Sequence, residues 1–233
     1  MKNIPLLCAL LLFSLITTIG CELEDPNIGT VTDEIIELTI SENTLFADGK
    51  SRLTLTAELK EQAAPNLDIT FNTEAGFFPE AGQGVQIFTV TASGRTATAI
   101  LQSDNQNTDF VNVTASVANF RASETVEFIR ALPDDITVSA DRQTVVANRV
   151  DFAQITTRLF RNNGQPTVGT RVDYEIIEQD TARATVVPFD FVNEELESVV
   201  NVKSENGVPG VVQVKVSVPG TEEEELITIE FVE

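Results

Sequence analysis

After residue 34, hydrophobic side chains recur at every second position in short runs. Leu53, Leu55, Ala57 and Leu59 alternate with Thr54, Thr56 and Glu58. The same alternation runs through Ala97, Ala99 and Leu101, and through Val111, Val113, Ala115 and Val117. It returns at Val212, Val214, Val216 and Val218, and again at Ile227, Ile229 and Phe231. A period of two buries one face of an extended strand and exposes the other. No segment after residue 21 carries a helical period. Asp48-Gly49, Ala92-Ser93-Gly94, Asn162-Asn163-Gly164, Asn206-Gly207 and Pro219-Gly220 supply turn chemistry between the runs. About seven short strands per roughly 100 residues, with turns every 8–12, is the pattern of a β-sandwich.

The pattern occurs twice, about 100 residues apart. Leu38-Thr39-Ile40 aligns with Ile136-Thr137-Val138, Thr44 to Asp48 with Thr144 to Asn148, and Leu55 to Leu59 with Ile155 to Leu159. Ile69-Thr70-Phe71 aligns with Val172-Asp173-Tyr174, Val111 to Val117 with Val212 to Val218, and Thr125 to Phe128 with Thr228 to Phe231. Order is kept throughout, which is the mark of a duplication. The expected fold class is therefore all-β: two tandem immunoglobulin-like sandwiches over 34–132 and 133–233. The join falls at Ala131-Leu132-Pro133-Asp134-Asp135, because Pro133 cannot donate a ladder hydrogen bond. So short a joint predicts a pair held end to end with little bending.

Ahead of the sandwiches the pattern changes. Lys2 is followed by an apolar stretch from Ile4 to Ile16, broken by Pro5 and Ser14, and then by Thr17, Thr18 and Gly20. That length suits a secretory signal and is short for a spanning helix, which needs about 20 apolar residues. Ile19-Gly20-Cys21 resembles the lipobox of bacterial lipoproteins, with Thr18 where that family usually carries an aliphatic residue. The resemblance implies cleavage after residue 20 and acylation of Cys21. The alternative is an ordinary signal peptide cut nearby, leaving a free thiol. Cys8 lies in the segment to be removed, so the processed chain has one cysteine and no internal disulfide. Residues 21–33, with Glu22, Glu24, Asp25 and Asp33, read as an acidic tether reaching at most about 45 Å. Acids just after a lipidated cysteine also resemble signals that place lipoproteins on the outer surface. The end of the chain two residues after Phe231 gives the expectation that no third domain follows.

Composition narrows the chemistry. Formal charge is −21, and −22 once the segment holding Lys2 is removed. Such a surface repels phosphate backbones, which argues against a nucleic-acid partner. There is no His and no Trp, one Tyr (Tyr174), and Met only as the initiator. The usual general bases, nucleophile–base pairs and transition-metal ligand sets lack their residues. A carboxylate pair could still hydrolyse a glycoside, although sugar clefts commonly stack rings on Trp or Tyr.

Leu45 to Ser51 with its Ala47-Asp48-Gly49 turn, followed by Leu53 to Ala57, resembles the opening of the bacterial Ig-like domains of invasin and intimin. Ile69-Thr70-Phe71 with Ala75-Gly76, the stretch Gly94 to Leu101, and Val111 to Ala115 resemble later strands of that family. The likeness spans residues 34–130 and weakens over 134–233, where Asn148-Arg149 replaces Asp-Gly. It implies a stalk-like sandwich without catalytic or cofactor machinery.

A few features could carry chemistry. Asp104, Asn105 and Asp109 place oxygens at spaced positions in one loop, as calcium loops do, without the Gly and distal Glu of an EF-hand. Asp134 and Asp135 could share a calcium ion at the joint. In both places a solvated polar loop is the simpler reading. The Glu222 to Glu225 run reads as a self-repelling loop before the last strand. Tyr174 takes the place of Phe71 and reads as core. Phe77-Phe78-Pro79 is either an aromatic contact or a plug over the sandwich end. The function expected is a non-enzymatic, outer-membrane, surface-displayed lipoprotein. It would touch the membrane through its lipid and meet other envelope proteins or surface glycans, as a spacer or adhesion module. A polysaccharide- or peptide-binding accessory lipoprotein of an uptake complex is the alternative.

Overall fold

A computed structural model describes residues 35–106 and 109–233, and every regular element among them is a β-strand. The first eight strands are β1 (Ile36–Ile40), β2 (Thr44–Ala47), β3 (Arg52–Leu59), β4 (Asp68–Thr73), β5 (Ile87–Thr91), β6 (Thr96–Gln102), β7 (Phe110–Val117) and β8 (Phe120–Arg130). They make one sheet in the order β1-β3-β6 and a second in the order β2-β8-β7-β4-β5. Between the sheets lies a core drawn from Ile36 to Phe128, in which Leu55, Ile69, Phe71, Phe78 and Leu101 are fully buried. The alternation in β3 is what the sequence demands: Leu53, Leu55, Ala57 and Leu59 face inward while their neighbours face out. Each of those leucines contributes roughly 1.5–3 kcal/mol of burial, and Ala57 less.

The first strand changes sheets. Ser41-Glu42-Asn43 interrupts it, so β1 pairs antiparallel with β3 while β2 pairs parallel with the last strand, β8.

The second set repeats the plan with nine strands: β9 (Asp135–Ala140), β10 (Thr144–Val146), β11 (Phe152–Phe160), β12 (Arg171–Gln179), β13 (Ala184–Thr185), β14 (Phe189–Phe191), β15 (Glu197–Ser204), β16 (Gly210–Ser217) and β17 (Glu224–Val232). Their sheets run β13-β15-β11-β9 and β10-β17-β16-β12-β14 around a separate core from Ile136 to Phe231. β13 is the additional element. β10 pairs parallel with β17, matching β2 and β8.

Strand register corrects one detail of the repeat. Leu38 faces Ala57, and Val138 faces Thr157. Leu38 therefore corresponds to Val138 rather than to Ile136, and Ile36 to Ile136. The slip is two residues, which returns every side chain to its own face, so alternation alone could not detect it. The glutamate run is corrected as well. β17 begins at Glu224, whose carboxylate pairs with Lys215 on the neighbouring strand, so half of the run is strand. Phe78 settles as the plug: it is fully buried, with its ring 6.4 Å from Phe71 and 6.2 Å from Phe88. Phe77 is half-buried and bridges to Gln102.

Candidate functional site

Among the described residues a cluster of hydrogen bonds outside the strand ladders forms the joint between the sandwiches. Its centre is Thr167, on the loop joining β11 to β12. Its buried hydroxyl donates to the Ala47 carbonyl at 2.8 Å and accepts from the Ala131 N–H at 2.8 Å. Its own N–H donates to the Ala131 carbonyl at 3.0 Å. One threonine thus ties the end of β2 to the segment leaving β8. Around it, Gln165 N–H donates to the Asp48 carbonyl at 2.8 Å, and Val168 N–H to the Asn105 carbonyl at 2.8 Å. Arg130 reaches across to the Gly169 carbonyl, also at 2.8 Å. Arg161 lies over the Phe46 ring, 5.2 Å from its centroid, and donates to the Leu132 carbonyl at 2.7 Å.

Asp48 is where the turn of the first sandwich meets this loop. It is almost fully buried, and its carboxylate accepts from the N–H groups of Lys50 and Ser51 and from the hydroxyls of Ser51 and Ser103. Burial pushes its pKa up. The bonds from Ser51, Lys50 and Ser103 outweigh that push and hold it below the usual carboxylate value. Gly164 packs directly against Asp48: it sits at φ +85°, and a Cβ there would lie 2.8 Å from the Asp48 carbonyl oxygen and carboxyl carbon. Only glycine fits both demands.

The second sandwich has its own buried polar cluster. Tyr174 Oη lies 3.0 Å from Thr157 Oγ1 and 2.8 Å from Ser198 Oγ, and Ser198 donates to Asp190 at 2.9 Å. Register places these residues opposite Phe71, Ala57, Ala97 and Val90 of the first copy. Four apolar positions have become one hydrogen-bonded chain. Burial, with the Asp190 charge adding to it, raises the Tyr174 pKa, so the phenol stays protonated. Among the described residues no buried side-chain nitrogen or oxygen lacks a partner.

The sequence-predicted sites fall as follows. Cys21 lies outside the described residues, as do the tether and the signal segment. Asp104 accepts from Gly76 N–H at 3.0 Å and Gln106 N–H at 2.9 Å, which sets the loop that offers the Asn105 carbonyl to the joint. The Asn105 side chain donates to Gln165 at 3.2 Å. The Asp109 carboxylate accepts from Phe110 N–H at 2.7 Å, while Asn107 and Thr108 lie outside the described residues. Asp134 accepts from Asn162 N–H at 2.9 Å, and Asp135 opens β9 opposite Phe160. Among the described residues no three acidic side chains converge into a set that could hold a metal ion. The sequence reading of a joint at residues 131–135 left out Thr167, Gln165 and Asn105, whose hydrogen bonds converge there. Asn162-Asn163-Gly164 was the available signal, and it was read only as a turn.

Two wound sandwiches with a strand that switches sheets, meeting through loops, define the class: a tandem pair of Ig-like β-sandwiches. Known structures carry the comparison further. The chain superposes on the adhesin InvE of Yersinia pseudotuberculosis with a TM-score of 0.59 at 12% identity, covering 84% of this chain and 58% of that one. It superposes on invasin, a bacterial integrin-binding protein, with a TM-score of 0.58 at 18% identity, covering 84% of this chain and 39% of that one. The fold is thus the bacterial Ig-like fold of the invasin type, and the chain spans well under two thirds of either structure. No protein-family model matches the sequence, and no curated protein does.

Proposed function

We propose that this protein is a non-enzymatic lipoprotein of the cell envelope. In this reading residues 1–20 are removed, Cys21 is acylated, residues 21–33 form the tether, and sandwiches over 34–132 and 133–233 act as a stiff spacer or an adhesion and protein-interaction module. The observation that supports it best is the joint. Thr167, Gln165 and Val168 bind three separate segments of the first sandwich, so bending would break several buried hydrogen bonds together. The adhesin and integrin-binding proteins that share the fold make adhesion the natural use of such a spacer. Outer-membrane placement with surface display rests on the lipobox and the acidic tether.

Two measurements test the proposal. Metabolic palmitate labelling should mark the wild type and not Cys21→Ser, and external protease should cleave the protein on whole cells. An unlabelled, soluble product would overturn the anchor, and cleavage only after lysis would place it inside the envelope. Calcium at Asp104, Asn105 and Asp109, or at Asp134 and Asp135, would be assigned by a rise in melting temperature that chelator reverses.

A further inference from the structure

The cations of the second sandwich are unevenly placed. Residues 135–233 hold eight Arg and Lys against eighteen Asp and Glu. Arg142, Arg158, Arg171 and Lys215 are paired with Asp141, Glu197, Asp173 and Glu224. Arg161 works in the joint. The remaining three, Arg149, Arg183 and Lys203, all lie at the other end of the sandwich. Lys203 sits opposite Phe152 at the start of β11, whereas the joint meets that strand's far end, and Thr185 of β13 flanks Lys203. Arg149 donates to the Asn206 carbonyl, and the Arg183 carbonyl accepts from Glu205. None of the three forms an ion pair with a described residue, in a molecule whose acids outnumber its bases more than two to one. Asp151, Asp180 and Glu205 are the nearest acids in sequence, and Asp151 is held by Asn148.

Arg149 and Lys203 line a cleft of about 440 Å³, whose other walls are Val150, Phe152, Val186 and Val187 beside two polar side chains. Val150 is 76% exposed, Val187 55% and Phe152 42%. Three large hydrophobic side chains on an open rim beside two unpaired cations match an anionic partner with aliphatic side chains. The geometry favours a polypeptide. β13 is the end strand of its sheet, so its outer edge is unpaired, and the chain beyond it continues with Val186 turned toward the core and Val187 outward. Such an edge accepts an added strand, with alternate side chains dropping beside it.

We infer that this end of the second sandwich is a docking site for an extended acidic polypeptide segment with aliphatic residues at alternate positions. The inference extends the interaction half of the function proposed above, and it stands or falls independently of anchoring and stiffness. The test is fluorescence anisotropy on the purified full chain with a labelled hexapeptide of alternating Glu and Val. Saturable binding is expected, at least about tenfold tighter than to alternating Lys and Val or alternating Glu and Ser. Lys203→Glu and Arg149→Glu should each weaken it about tenfold, Val187→Asp should abolish it, and Arg121→Glu on the first sandwich should leave it unchanged. Melting curves superposable on wild type show that each variant is folded. Equal binding of the Glu and Lys peptides, or wild-type affinity in the Lys203 and Val187 variants, would overturn the inference. So would tighter binding of polygalacturonate than of the peptide, which would assign the cleft to an acidic glycan.

Discussion

At the scale of single residues, the joint concentrates its demands on Gly164, Thr167 and Asp48. Gly164→Ala combines about 1–2 kcal/mol of left-handed backbone strain with a 2.8 Å approach to Asp48 that neither neighbour can relieve without moving. It should lower the urea midpoint and raise hydrogen exchange at Ala131 and Thr167, which reports the joint rather than either core. Thr167→Val keeps the shape and removes the hydroxyl that serves Ala47 and Ala131, at a cost of about 1–3 kcal/mol. Asp48 should show its role through pH. Its folded pKa is depressed, so its contribution is present above the unfolded value and is lost as pH falls through the folded one. Asp48→Asn should therefore flatten the acid limb of the stability–pH curve, and an unchanged limb would show that other carboxylates set it. In the sequence Asp48-Gly49 was plainly a turn. That its carboxylate is buried depends on Ser103, 55 positions away, and no local pattern carries that. Arg149 was equally hidden: it takes the place of Gly49 at φ +69°, a conformation the Asp-Gly to Asn-Arg change hinted at without fixing.

Between strands, the two copies offer an internal experiment. Phe71, Ala57, Ala97 and Val90 of the first sandwich stand where the second has Tyr174, Thr157, Ser198 and Asp190. Tyr174→Phe alone leaves the Thr157 and Ser198 hydroxyls short of a partner and should cost about 1–3 kcal/mol. Converting all four positions to their first-copy counterparts removes donors and acceptors together, and should be neutral or stabilising by comparison. Chemical denaturation of the single and fourfold variants checks this; additive losses would show that the hydroxyls act independently. Tyr174 was legible as core because it aligns with Phe71. The hydrogen-bonded chain was not, since alternation places Thr157 inward with Ile155 and Leu159 but nothing local shows that it meets Tyr174, Ser198 and Asp190 there. Strand existence was legible because burial has the period of the pleat. The boundary of β17 was not, because Lys215 draws Glu224 into the ladder from across the hairpin.

For the molecule as a whole, the all-β sandwich fold could be read from one sequence, whereas the joint could not be assembled from it. Its partners come from four loops separated by up to 120 positions, and they meet only when both sandwiches are complete. Paired spin labels, one on each sandwich, should give a narrow distance distribution that broadens in a Gly164→Ala, Thr167→Val double variant. An equally narrow distribution would mean that Pro133 and the short connection suffice. The strand that changes sheets has a mechanical consequence. β2 and β8 run side by side in the same direction, as do β10 and β17. A pull applied between the start of each sandwich and its exit strand drags these neighbours past one another along their length. Their hydrogen bonds are then strained in shear and must yield together instead of opening one by one like a zipper. Under such a load the resistance lies there, in two short parallel pairs, before either core is opened.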